Sequence, residues 1–511
     1  MVFAISWILY IFGSPRPLVL PFTRLRQLFV GHLFTNMGAP YIPCEILLMV
    51  AEHLSVKDLS MLRSTSHRLS TLLYPLYETL CLQDTGKLTA LQWAAVRGQV
   101  SLIKLAISKG AAIDEPMWGR LDRSALGTPD KRFSDILICK LANGGEAMGT
   151  YGGTDGRPKL RTPLFLAACC GHAQAIEALL ELGAKINGSG ELDTPAHISA
   201  RRGDVCCLQA FIAHGFDLEA RGSRGQTILH DAVIGGEEIT QYLLQLGGKT
   251  LVHARASDGS TPLHSAAQAL YSPYWMTKEN RANPELLLRH GADIYARDVF
   301  GYTPAHNSAR SGDIDCLRVL VTAGFDFRAR GFRDHTILHV AVLTERKAVV
   351  EFISEQDGGR KIIDLKNDRG STPLHYAVAF HQRVLVKLLL RHGADIYAVD
   401  GDGYTPAHRA ARYGVIECLK AIIGAGIDLD AKGPKGRTVL HLAVKHGHMA
   451  LVEYLLERAG AGRIINAADN AGSTALHLVS NNCKKGIVTL LLRHGANMQA
   501  RNLSGQTPVL D

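Results

Sequence analysis

Residues 372–377 read Thr372-Pro373-Leu374-His375-Tyr376-Ala377, and this stretch decides the fold because it recurs along the chain. The Thr372 hydroxyl can cap the free N–H groups of a helix, and Pro373 already has the backbone angle of a first helical turn. Leu374 and Ala377 are spaced to lie on a single apolar face. The stretch therefore predicts the start of a short amphipathic helix.

The same phrase recurs at intervals close to 33 residues. After it, a second apolar run such as 384–390 predicts a second helix, Gly393 its left-handed end, and 395–404 a projecting hairpin-like loop. A period near 33 predicts an array of stacked units, because one unit alone cannot bury its apolar faces. The phrase begins at Thr162, Thr194, Thr227, Thr261, Thr303, Thr336, Thr372, Thr405, Thr438 and Thr474, with a weaker copy at Thr89 and a truncated one at Thr507.

These phrases, together with Leu389-Leu390-Arg391-His392-Gly393-Ala394-Asp395, resemble the ankyrin repeat over roughly residues 85–511. The resemblance implies an all-α solenoid of helix pairs with projecting hairpin loops. It also implies that the histidine in the fourth place of the phrase hydrogen-bonds between neighbouring repeats. We expect a degenerate repeat at 85–114, an insertion or degraded repeat at 115–161, ten repeats at 162–506 and a truncated repeat at 507–511.

A longer period overlies the short one. The phrases cycle in the order T-P-L, T-P-A-H and T-I/V-L-H, and the cycle begins again at Thr162, Thr261, Thr372 and Thr474. We interpret this as duplication of a block of three units. The three kinds of unit are called first, second and third members below.

The chain contains no residue pattern that indicates catalysis or a bound metal or cofactor. H-E-x-x-H and C-x-x-C spacings, a phosphate-binding loop and a nucleophile elbow are all missing from the sequence. The net charge is +9, but basic and acidic residues are interspersed along the chain, which disfavours nucleic acid as the main ligand. The cysteine pattern predicts a reducing compartment, so we expect a cytoplasmic or nuclear protein. Nine of the 22 histidines occupy the fourth place of the phrase: His197, His230, His264, His306, His339, His375, His408, His441 and His477.

Residues 38–81 do not fit the repeat and predict three short helices. The stretch begins Ile42-Pro43-Cys44-Glu45-Ile46 and continues with Asp58-Leu59 and Leu62-Arg63, which resembles the F-box of fungal-type F-box/ankyrin proteins. The usual tryptophan near the end of an F-box is missing. The resemblance implies binding to the Skp-type adaptor of a cullin–RING ubiquitin ligase. A helical cap over the end of the array is the alternative. The implied adaptor contacts are Pro43, Ile46, Leu54, Leu59 and Leu62.

Residues 1–37 form an apolar N-terminal extension. Its run at 1–13 is shorter than the roughly 20 residues of a membrane span. It also lacks the basic start of a signal peptide. We expect translation to begin near Met37, which makes a membrane partner an unfavoured alternative.

Two kinds of exposed position are candidates for binding a target protein. An extra nine residues between the helices of the Thr261 unit place Tyr274 and Trp275 on a loop, where aromatic residues are typical of contact sites. The alternative for this loop is packing on its own helices. The alternative for the hairpin tips is that they are solvated turn residues. The candidates at hairpin tips are Phe300, Phe332, Arg333, Asp402 and Lys435.

We therefore predict a monomeric interaction module that recruits a substrate protein to a Skp–cullin–F-box ligase. The alternative is an ankyrin scaffold without a ubiquitin link.

Overall fold

The computed structural model describes residues 90–108, 110–114, 162–187, 193–268, 284–458, 461–479 and 485–508. The predicted segments 1–37, 38–81 and 115–161 lie outside these ranges, as do Tyr274 and Trp275. Every regular element in the described ranges is a helix. The chain divides into two compact units, Met1–Ser223 and Arg224–Asp511.

The described residues of the first unit form three helix pairs. Thr162 begins α3 because its hydroxyl accepts the N–H of Phe165 at 3.3 Å, and Gly171 ends it in left-handed geometry with φ of 79°. First helices pack on first helices (α1 on α3, α3 on α5), and second helices on second helices (α2 on α4, α4 on α6). The helices are α1 Ala90–Arg97, α2 Val100–Ser108, α3 Pro163–Cys170, α4 Ala173–Glu181, α5 Pro195–Arg202 and α6 Val205–Ala213.

The second unit continues the same pairing with a Thr-capped first helix in each repeat. Its first helices are α7 Ile228–Gly235, α9 Pro262–Ala267, α11 Pro304–Ser311, α13 Ile337–Leu343, α16 Pro373–Ala379, α18 Pro406–Tyr413 and α20 Val439–His446, followed by a 3₁₀ turn at Ala475–Leu478. The second helices are α8 Glu237–Val252, α10 Pro284–Arg289, α12 Ile314–Thr322, α14 Lys347–Glu355, α17 Arg383–Arg391, α19 Ile416–Gly424, α21 Met449–Leu456 and α23 Lys485–Arg493. Short helices α15 Asp357–Arg360 and α22 Ala461–Ile465 follow α14 and α21.

The core runs between the two layers of helices. Leu374 on α16 and Leu389 on α17 have no exposed surface. Cys316 and Cys418 are buried on the second helices α12 and α19. The all-helical fold of stacked pairs that the sequence predicts is confirmed.

An Asp or Asn at the start of the turn holds five of the described hairpin loops, at 298–302, 367–371, 400–404, 469–473 and 502–506, whereas the loops at 331–335 and 433–437 begin with Gly. Asp298 Oδ1 accepts the N–H groups of Phe300 and Tyr302, both at 2.9 Å. Asp400 Oδ1 accepts those of Asp402 and Tyr404 at 3.0 Å. Such a carboxylate replaces a missing backbone partner and fixes the turn. These bonds use only the backbone of Phe300 and Asp402, so the turn does not depend on their side chains.

Neighbouring tips are bonded in a pattern with a period of three units. When each hairpin is counted with the threonine that follows it, the tip of each third member bonds the tip of the next first member, as when the Asp368 N–H donates to the Arg333 carbonyl at 3.1 Å. First members bond second members in the same way, with Gly401 donating to Arg369 at 2.8 Å. Among the described residues, no backbone bond joins the tip of a second member to that of the following third member. These second-to-third junctions lie at 299–336 and 401–438.

Candidate functional site

The fourth-place histidines hold neighbouring repeats together. His375 Nδ1 accepts the Thr372 N–H at 3.3 Å, so the proton lies on Nε2, which donates to the Tyr404 carbonyl of the next repeat at 2.9 Å. His306 and His339 bond the carbonyls of His335 and Ser371 in the same way, at 3.1 and 3.0 Å. The predicted hydrogen bonds between repeats are confirmed.

Burial keeps His306 and His339 uncharged. It lowers the pKa of His306 and of His339 to about 3, although the accepting carbonyl opposes the shift. No group of three or more His, Cys, Asp or Glu in the described part of the chain is placed to hold a metal ion. Burial also raises the pKa of the Cys418 thiol to about 11, which disfavours its reactive thiolate.

The second-to-third junction at 299–336 carries an exposed apolar group. Val299 is 64% exposed, Phe300 58% and Phe332 44%. The Phe300 and Phe332 rings meet edge to face at 6.5 Å between centroids, and the Arg333 guanidinium lies 5.2 Å from the Phe332 centroid. Three predicted tip residues therefore form one surface, which we call the aromatic tip.

The next such junction, at 401–438, has charged tips instead. Arg409 forms ion pairs with buried Asp400 and exposed Asp402, the latter at 2.7 Å. Its guanidinium also lies 4.8 Å from the Tyr404 ring centroid. Lys435 is exposed on the following tip. Asp402 and Lys435 are thus at tips, as predicted, but Asp402 is held by Arg409, a residue that the sequence analysis did not single out.

The two junctions share one backbone although their tip side chains differ. Gly301 and Gly403 hold the same turn with φ of 76° and 81°. Arg333 and Lys435 both have left-handed backbones, with φ of 55° and 63°, which is uncommon for residues other than glycine. Phe300 in one junction corresponds to Asp402 in the other. The fold therefore does not require either side chain.

Four basic side chains were missed as a group because they come from two repeats. Arg412 and Lys445 are both the seventh residue after the phrase threonine, on the packed helices α18 and α20. Arg437 and Lys435 lie on the hairpin between these helices. Aligning the repeats and comparing this seventh place would have revealed the first two.

The comparisons with known proteins agree with this architecture. The family model "Ankyrin repeats (3 copies)" matches residues 164–254, 196–274, 274–363, 360–433 and 422–502, which together exceed half of the chain. The chain belongs to the ankyrin-repeat family. Ankyrin repeats are protein–protein interaction modules, so this chain has protein partners. Among the residues that the structure describes, no helix is long and apolar enough to cross a membrane.

Similar proteins match this chain over part of its length and over a small part of their own. The chain is 28% identical over 295 residues to "E3 ubiquitin-protein ligase KEG" of Arabidopsis thaliana, covering 50% of this chain and 18% of that protein. It is 30% identical over 245 residues to "SH3 and multiple ankyrin repeat domains protein 2" of Homo sapiens, covering 46% and 12%. The match thus spans less than a fifth of either relative. The human ASB11 ankyrin repeat domain has a TM-score of 0.34 at 23% identity, covering 40% of this chain and 90% of that domain.

Proposed function

We propose that this chain is the substrate-recruiting adaptor of a Skp–cullin–F-box ubiquitin ligase in the cytoplasm or nucleus. The ankyrin repeats bind a target protein, and residues 38–81 bind the Skp-type adaptor. The ligase partners, and not this chain, carry out the transfer chemistry.

The observation that supports target binding is the variation of exposed tips on one fixed backbone. The aromatic tip and the charged tip at 401–438 have the same turn geometry and different chemistry. Side chains that the fold does not need, presented in a row, are what a recognition surface requires.

The ligase part of the proposal is supported by the motif in residues 38–81. The family match at 164–502 does not extend over this segment. The name of the Arabidopsis relative gives a ubiquitin ligase as one setting in which similar repeats occur. The name of the human relative gives ankyrin repeats together with an SH3 domain, a setting outside a ubiquitin ligase name, so a scaffold stays the alternative.

Co-purification with the Skp-type adaptor separates these two functions. We expect the wild-type chain to retain the adaptor and Leu59→Asp to lose it, because a charge replaces an implied apolar contact. Val384→Asp is the matched control, since Val384 is exposed on α17 and lies far along the chain from the motif. Failure of the wild-type chain to bind the adaptor would support the scaffold alternative.

A further inference from the structure

The strongest feature that target recognition alone does not explain is a concentration of positive charge at the junction 401–438. Arg412 on α18, Lys445 on α20, and Lys435 and Arg437 on the intervening hairpin form it, and we call these four residues the basic junction. Lys435 and Lys445 are exposed, and Arg412 and Arg437 are half-buried. We propose that the basic junction binds an acidic segment of a partner protein, with carboxylate or phosphate groups closely spaced.

The geometry brings the four groups together from elements that pack directly. Helices α18 and α20 are neighbours, so equivalent positions on them face the same side of the stack. The Arg412 guanidinium lies 5.6 Å from the centroid of the Tyr404 ring. The backbone carbonyl of Tyr404 accepts the Asp400 N–H and closes the hairpin that precedes α18. The Arg437 carbonyl accepts the ring N–H of His408 at 3.1 Å, which fixes its hairpin against α18.

Nearby carboxylates compensate only part of this charge. Asp469 pairs with Arg437, with Nε and Oδ2 3.3 Å apart. Asp400 and Asp402 are both taken up by Arg409. Within the described ranges, no carboxylate forms an ion pair with Arg412 or Lys435. The mutual repulsion is felt at Lys445, whose pKa is lowered mainly by Arg437, then by partial burial, and then by Lys435 and Arg412. An incoming anion would relieve this repulsion.

The preceding block is also basic at two of the four places, and it shows that the fold does not need the charges of Arg437 and Lys445. Its second-to-third junction has Arg310, Arg333, His335 and Leu343 at the places of Arg412, Lys435, Arg437 and Lys445. The helix pairing and the left-handed tip are the same in both junctions. The position of Lys445 in the last turn of α20 favours a cation through the helix dipole. That effect does not explain Lys435 or Arg437, which lie on the hairpin.

An acidic protein segment fits this surface better than nucleic acid does. The charges are concentrated at one junction instead of following a long stripe, as a polynucleotide backbone would require. The Tyr404 ring has the Arg409 and Arg412 guanidinium groups within 5.6 Å of its centroid, so it offers no free platform for a base. This inference rests on the proposed recognition function and adds the chemistry of the partner.

The test measures the binding of labelled short peptides to the full chain by fluorescence anisotropy. The probes are a peptide of alternating Asp and Ser, its counterpart with phosphoserine at the Asp positions, and a neutral counterpart with Asn. A single-stranded RNA probe is the fourth arm. We expect both anionic peptides to bind and the neutral one not to bind. Raising the salt from about 50 to about 300 mM should weaken binding, because screening shortens the reach of exposed charges. If only the phosphoserine peptide binds, phosphate is the anionic group recognised.

The decisive variant is Arg437→His with Lys445→Leu, which installs the residues that the chain itself uses one block earlier. We expect at least about a fivefold loss of affinity for the anionic peptides. The control is Lys387→Gln with Arg391→Gln, which removes the same charge from α17 and should change affinity by less than about twofold. Circular dichroism confirms that both variants remain folded.

Several outcomes would overturn the inference: no binding of either anionic peptide, equal binding of the neutral one, an unchanged affinity in the decisive variant, or tighter binding of RNA. Co-purification of the Skp-type adaptor from the same preparations is the separate readout. Adaptor binding without peptide binding refutes the basic junction alone. Peptide binding without the adaptor refutes only the ligase proposal.

Discussion

Acidification from pH 7 to pH 5 should destabilise the second unit, because two of its histidines must stay uncharged in the folded state. His306 and His339 each use both ring nitrogens. Nδ1 accepts a threonine N–H at 3.3 Å, and Nε2 donates to a carbonyl of the next repeat. A second proton would have to bind at Nδ1, where it would face the threonine N–H. Desolvation disfavours the charged ring further.

The magnitude follows from the difference in pKa between the folded and the unfolded chain. In the folded chain both histidines have a pKa of about 3, against the ordinary value of about 6.5 in an unfolded chain. Below pH 6.5 the unfolded chain therefore binds protons that the folded chain does not, and the free energy of unfolding falls with pH. At pH 5 each histidine lowers it by about 2 kcal/mol, and the two together by about 4 kcal/mol.

The control replaces both rings by a side chain that does not titrate. His306→Gln with His339→Gln is suitable because the degenerate repeat already has Gln92, which is buried, in the fourth place. Urea unfolding followed by circular dichroism gives the loss of unfolding free energy between pH 7 and pH 5. We expect this loss to be about 4 kcal/mol smaller in the double variant than in the wild type. Equal losses in the two proteins would refute the reasoning.

Three further predictions, which use five substitutions, concern packing and backbone strain. Leu389→Ala should lower the free energy of unfolding by about 2–5 kcal/mol because it leaves a cavity, whereas Val384→Ala, at a 57% exposed site, should change it by less than about 0.5 kcal/mol in the same urea titration. Gly331→Ala should destabilise the protein, because the new Cβ would lie 2.4 Å from Tyr302 Cδ1. Gly424→Ala should be neutral or stabilising, because its new Cβ would have no neighbouring atom within 4 Å. A thermal denaturation experiment in which Gly424→Ala melts at the lower temperature would contradict these contacts. Lys435→Gly should raise stability by up to about 1 kcal/mol, because glycine adopts φ of 63° without strain, and a lower melting temperature would argue against a strained tip.

The helix pairs were predictable because their signals are local. Thr372 and Pro373 mark the start of α16, and Gly393, with φ of 86°, follows α17 in the left-handed geometry expected of it. The apolar run predicted at 384–390 lies within the observed Arg383–Arg391. The exposure of Phe300 and Phe332 also followed from their place between turn residues.

The features that escaped prediction depend on contacts between repeats. Arg412 and Lys445 are neighbours only because α18 packs on α20, and neither residue has an unusual local sequence. The left-handed backbones of Arg333 and Lys435 could not be predicted, because arginine and lysine do not favour this conformation as glycine does. The roles of Pro43, Ile46, Leu54, Leu59 and Leu62, and of Tyr274 and Trp275, stay predictions because these residues lie outside the described ranges.

The three-unit periodicity of the interfaces has a consequence for how such a gene can change in length. His339 donates to the Ser371 carbonyl at 3.0 Å, and His441 donates to the Ser473 carbonyl at 3.1 Å. Residues 372–473 therefore begin and end at the same kind of interface, the one between a third member and a first member. Excision of that whole segment would leave Ser371 followed directly by Thr474, so a third member would again be followed by a first member. Loss or gain of a single repeat would instead join mismatched neighbours. Unequal recombination can therefore shorten or lengthen this protein in steps of one block while every interface still joins the same kinds of member.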